Sequence, residues 1–174
     1  MNRVLAMELE QLNGLPASAF ETFLAEHPPS RAMIDDLVLL LTADETRIHR
    51  QVTALLKRLA EKEVRFTNEQ RRAIFDSLAE VNDWESKLHL CQMLQHVRIP
   101  KGSEAKVAWF LERRLAEPNK FLRAWAYSGF YELAKQHREY RQLALDQLDR
   151  GEREQSAAVK ARIRNIRKAM KGPG

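Results

Sequence analysis

At 174 residues the chain has the length of one domain and enough material to bury a core of ordinary proportion. Hydrophobic residues make up 44% and charged residues 30%, which excludes a disordered chain, and the longest aliphatic run, Leu37 to Leu41, is too short to span a bilayer. The net charge of +5 is uneven: residues 1–136 hold 19 basic and 19 acidic side chains, whereas residues 137–174 hold 10 and 5.

The first turns carry Glu8 and Glu10 and no apolar stretch of the kind a secretory signal needs. Cys91 is the single cysteine, which rules out an internal disulfide and fits a reducing compartment, so a cytoplasmic protein is expected. Asn13-Gly14-Leu15-Pro16 separates a helix over about 3–12 from one over about 16–26. Pro28-Pro29 closes the second, because proline disfavours helix at the residue before it. Further helices are expected at about 31–42, 46–60, 68–81, 84–97, 103–116, 120–135, 138–149 and 157–171. Thr67 and Gln70 have the spacing of a capping box, and Ser103 is a candidate N-cap. No strand-like alternation occurs, so the fold class is all-α with short loops.

Four of these helices repeat a pattern. Thr46, Asp83, Asn119 and Ser156 are candidate N-caps spaced by 37, 36 and 37 residues. Four positions later each has a base: Arg50, Lys87, Arg123 and Lys160. Seven, ten and fourteen positions after the cap come Thr53-Leu56-Ala60, Leu90-Met93-Val97, Ala126-Gly129-Leu133 and Ile163-Ile166-Met170, one face of a helix in each. A period of 36–37 with two helices per unit reads as a short α-solenoid of helix pairs.

The run Asn119-Lys-Phe-Leu-Arg123-Ala-Trp-Ala, a cap followed by a base and small apolar positions, resembles the second helix of a HEAT-like repeat. The resemblance covers about residues 31–171 and implies a right-handed solenoid of antiparallel helix pairs. The expected plan is one all-helical domain: capping helices over 1–29, about four repeats over 30–171 and a disordered tail at 172–174. The repeat is shorter than the usual HEAT length, and Asp stands at the cap only in Asp83. The resemblance further implies that the four bases form a polar ladder between units, with Arg123 to Asp83 or Asn119 as the expected pair.

Gly129 falls on an inward stripe position, where a missing side chain admits a close neighbour. Seven of the thirteen aromatics lie between Trp109 and Tyr131, so a ring from Trp109, Phe110 or Phe121 is the expected occupant.

A second stripe lies two, six, nine and thirteen positions after each cap. In the first unit it is apolar (Ile48, Val52, Leu55, Leu59), and the N-terminal side chains Val4, Leu5, Leu9, Phe20, Phe23 and Leu24 are expected to cover it. In later units it turns polar, and a groove lined by Glu85, His89, His96, Trp125, Glu132 and Arg162 is the candidate binding site. Solenoids usually bind on the concave side that such helices line. His89 and His96 are nearly two helical turns apart and cannot share one ion, and no metal, cofactor or catalytic motif is found.

Lys160, Arg164, Arg167 and Lys171 share one face of the last helix as a basic strip. The expected function is a non-catalytic adaptor or scaffold that binds a protein through the groove or the basic C-terminal helix. One alternative is a nucleic-acid binder related to HEAT-like DNA alkylation repair glycosylases, with weak, salt-sensitive binding. A second is a lyase or chaperone for a small cofactor or pigment.

Overall fold

The computed structural model describes residues 3–42 and 46–172, so positions 173 and 174 of the expected tail lie outside the described residues. Ten α-helices follow in order: α1 (Arg3–Gln11), α2 (Ala17–Glu26), α3 (Arg31–Thr42), α4 (His49–Glu61), α5 (Asn68–Asp76), α6 (Trp84–Met93), α7 (Glu104–Leu115), α8 (Lys120–Gln136), α9 (Arg141–Gly151) and α10 (Ala157–Met170). Short 3-10 turns at Thr46–Ile48, Ser77–Ala79 and Arg138–Tyr140 join or extend them. Among the described residues there is no strand, and no helix is long and apolar enough to cross a membrane.

Local chemistry explains most of the boundaries. Asp83 accepts from the Ser86 N–H at 2.8 Å, Asn119 from Phe121 and Leu122, and Ser156 from Val159, so three of the four repeated caps satisfy orphan helix donors. Thr67 and Gln70 bond reciprocally as a capping box. Thr46 does not cap: it opens a 3-10 turn, and α4 starts after Ile48 without a side-chain cap. Ser103 makes no cap bond either; the Glu104 carboxylate reaches back instead to accept from Gly102 N–H at 2.6 Å.

The largest departure is at α6, which stops at Met93 rather than running to Val97. The His96 and Val97 N–H groups both fold back on the Met93 carbonyl at 2.9 Å. The turn drives Val97 and Ile99 into the core at 4% and 2% exposure, and the Ile99 N–H is taken up by Gln136 Oε1 at 2.8 Å. Burying two β-branched side chains outweighs one more turn of helix.

Helices α4, α6, α8 and α10 contact one another in succession, as do α3, α5 and α7, while α9 packs on α8 and α10. The repeated stripe lies buried along the first row, except that Met170 emerges at its end. Ile48, Val52, Leu55 and Leu59 are fully buried in a core shared with Leu5, Leu9, Phe20, Phe23 and Leu24; Val4 points outward. A smaller cluster of Ala124, Tyr127, Leu148, Val159, Ile163 and Ile166 holds the C-terminal helices against α8.

No ring fills the gap at Gly129. A Cβ there would stand 2.4 Å from Leu111 Cδ2 and 3.0 Å from Leu94 Cδ1, so two leucines from α7 and the turn after α6 press on the bare backbone. The glycine that meets an aromatic is Gly151, whose Cβ would lie 2.6 Å from the Tyr127 ring.

Candidate functional site

The expected groove residues are placed apart and mostly engaged. Glu85, in the first turn of α6, pairs with Arg50 of α4 at 2.9 Å. His89, one turn on, has Nδ1 3.1 Å from Thr53 Oγ1. With that hydroxyl giving its one proton to the His49 carbonyl at 2.8 Å, His89 Nδ1 is left to donate to the Thr53 oxygen. Burial, helped by the charges of Lys57 and Arg58, pushes the His89 pKa down to about 4. His96 is not on that helix face: it lies exposed in the turn beyond α6.

Trp125 of α8 and Arg162 of α10 close on each other, with the guanidinium carbon 3.8 Å from the ring centre. Burial beside the ring lowers the Arg162 pKa from its ordinary value. Glu132 is only 8% exposed and receives a hydrogen bond from Lys135 at 2.8 Å. Glu85, His89, Trp125 and Arg162 thus make contacts between successive helices of the row, Glu132 is paired within α8, and His96 is exposed.

The ladder of bases is present but points elsewhere than expected. Arg50 reaches Glu85, Lys87 reaches Glu117 at 3.1 Å, and Arg123 reaches Glu154 at 3.1 Å. Neither Asp83 nor Asn119 is a rung, because their side-chain oxygens are used in capping. Arg123 also donates to the Glu117 and Pro118 carbonyls at 2.8 and 2.9 Å. Tyr127 donates to the other Glu154 oxygen at 2.8 Å, and burial together with that carboxylate raises the phenol pKa. Each of the first three bases is matched by an acid 30–35 residues further along the chain. Lys160, the last of the four, has no matching acid among the described residues.

Around Lys160 the basic strip is partly free. Lys160, Arg164, Lys168 and Lys171 line a groove of about 450 Å³ together with Arg167, the carboxylate Glu152 and the apolar side chain of Ile163. Arg167, a fourth member of the expected strip, is spoken for: it pairs with Glu152 at 2.9 Å and with Asp149. Lys168, which is outside the expected strip, also lines the groove.

Two clusters had no signal in the sequence, since each is assembled from separate segments of the chain. His137 Nδ1 lies 3.2 Å from Glu104 and 3.9 Å from Glu139, with Nε2 3.3 Å from the Ile99 carbonyl. These three side chains could converge on a cation, and as they stand they tie the end of α8 to the start of α7. The second cluster, Arg65, Arg71, Arg98 and Lys101, lines the clefts between the loops that follow α4 and α6.

Comparisons with protein-family models, curated proteins and solved structures find no match to this chain.

Proposed function

We propose that the chain is a non-catalytic adaptor, a short right-handed α-solenoid of HEAT-like helix pairs that docks an acidic protein segment on α10. The observation that carries this reading is the open last rung. Arg50, Lys87 and Arg123 are each neutralised by a carboxylate from the following unit, and Lys160 presents the same chemistry with no acid to meet it. Beside it Arg164, Lys168 and Lys171 add charge around the apolar side chain of Ile163, the combination that suits an amphipathic acidic helix. The N-terminal end is covered by α1 and α2, so the two ends of the array differ. A concave-face site has less support, because Trp125 is covered by Arg162 and Glu132 is held by Lys135.

The reading is tested by affinity capture from the source cell with the intact chain and with Lys160→Glu/Arg164→Glu. A partner that binds the intact chain, loses binding to the double variant and maps to an acidic segment supports the proposal. Capture unaffected by the two charge reversals, or no partner at all, overturns it.

A further inference from the structure

A second basic surface lies away from α10, on the edge where the helix-connecting loops meet. The loop after α4 and the loop after α6 enclose a cleft of about 450 Å³, walled by Arg65, Phe66, Arg71, His96 and Arg98. A second cleft of about 540 Å³ opens between the loop after α6, the start of α5 and the end of α8, walled by Asn68, Arg71, Arg98 and Lys101. Arg71 and Arg98 belong to both, so the two clefts adjoin in one basic, channel-like surface.

Several bases elsewhere meet carboxylates: Arg47 with Glu10, Arg58 and Lys62 with Glu21, Lys87 and Arg114 with Glu117, Lys106 with Asp76. Arg65, Arg71, Arg98 and Lys101 are in no ion pair among the described residues. Arg71 finds only Asn68 Oδ1, at 3.5 Å, and its Nε is buried with no hydrogen-bond partner. Glu63 is the one carboxylate lining the first cleft, and none lines the second. Four uncompensated cations in one channel repel one another, and a bound polyanion would relieve that repulsion.

From this geometry we infer that the channel binds a single strand of nucleic acid. Three of the four cations are arginines, whose planar fork accepts phosphate oxygens two at a time. A run of cations along this surface suits a ligand with regularly spaced charges. Half-buried Phe66 and the exposed His96 ring stand in the first cleft, where a base can stack.

The channel is independent of the α10 groove, and the test keeps them apart. Fluorescence anisotropy with a fluorescein-labelled 20-nucleotide oligothymidylate is measured at 50 and 200 mM salt. With about four phosphate contacts and a slope near −0.7 per contact for single strands, affinity should fall roughly fiftyfold across that range. Arg65→Glu/Arg98→Glu, both at exposed positions, should weaken binding at 50 mM salt at least tenfold with an unchanged melting curve. Lys160→Glu/Arg164→Glu should leave binding within about twofold. Binding abolished by the α10 pair and not by the loop pair overturns the inference. So does polyglutamate displacing the strand at equal charge concentration, or absence of binding at 50 mM salt.

Discussion

Arg162 of α10 sets its guanidinium carbon 3.8 Å from the centre of the Trp125 ring on α8, so a cation and an aromatic seal the seam between the last two helices of the row. Removing the cation should loosen that seam without emptying the core. Arg162→Ala is expected to cost about 1–2 kcal/mol, the range of a partly desolvated cation–π contact together with lost packing of the side-chain stem. In a Trp84→Phe/Trp109→Phe background, which leaves Trp125 as the only emitter, the same change should shift tryptophan emission to the red. Unchanged emission would mean that the contact does not persist in solution.

Gly129 tests how tightly α8 is approached. Alanine gains about 1 kcal/mol of helix propensity but sets its methyl against fully buried Leu111. Overpacking should win, leaving Gly129→Ala about 1 kcal/mol less stable in a urea melt, with Leu111→Ala rescuing part of the loss in a double-mutant cycle. Gly151→Ala should be worse, because ring carbons of Tyr127 cannot rotate out of the way as a leucine methyl can.

Arg123 holds one carboxylate and two backbone carbonyls, at 20% side-chain exposure. Its replacement by Ala should cost roughly 2 kcal/mol, since Glu154 and both carbonyls lose a charged donor. Arg31→Ala is the control: its pair with Asp35 is 4.0 Å long and well exposed, and should be worth less than about 0.5 kcal/mol. Equal effects from the two would show that the ladder contributes nothing special.

His89 makes stability depend on pH. Its folded pKa of about 4 lies below the ordinary value of 6.5, so the unfolded chain binds the proton more readily. This contribution is complete above about pH 6.5 and is lost as pH falls toward 4. The loss should be on the order of 1–3 kcal/mol across that window. His89→Gln should flatten the slope of stability between pH 6.5 and 4 even if it lowers stability at pH 7. A slope unaltered by the substitution would mean that other groups carry it.

The all-helical fold, the caps and the inward stripe were legible because they are short-range: Asp83, Asn119 and Ser156 act within three residues, and the inward stripe needs only helical periodicity. The groove was misjudged for a long-range reason. Position on a helix face says nothing of what stands opposite, and Arg162 covering Trp125 or Lys135 holding Glu132 depends on partners chosen in three dimensions. His96 was misplaced because burial of Val97 and Ile99 ends α6 early. The filler of Gly129 was misread since ring density along the chain does not decide which helix faces the gap. The second basic cluster stayed invisible because Arg65, Arg98 and Lys101 of the connections meet Arg71 of α5 only once these segments pack side by side.

The forward reach of the ladder gives the molecule a polarity. Deleting the first helix pair would leave Glu85 without Arg50, an accessible carboxylate that water can solvate at little cost. Deleting the last would leave Arg123 half-buried with no carboxylate, an expensive residue to strand. Each unit is thus completed by the one made after it. During synthesis a newly emerged unit waits for its successor before its own charges are satisfied, so the chain should consolidate in one direction, lagging translation by one repeat.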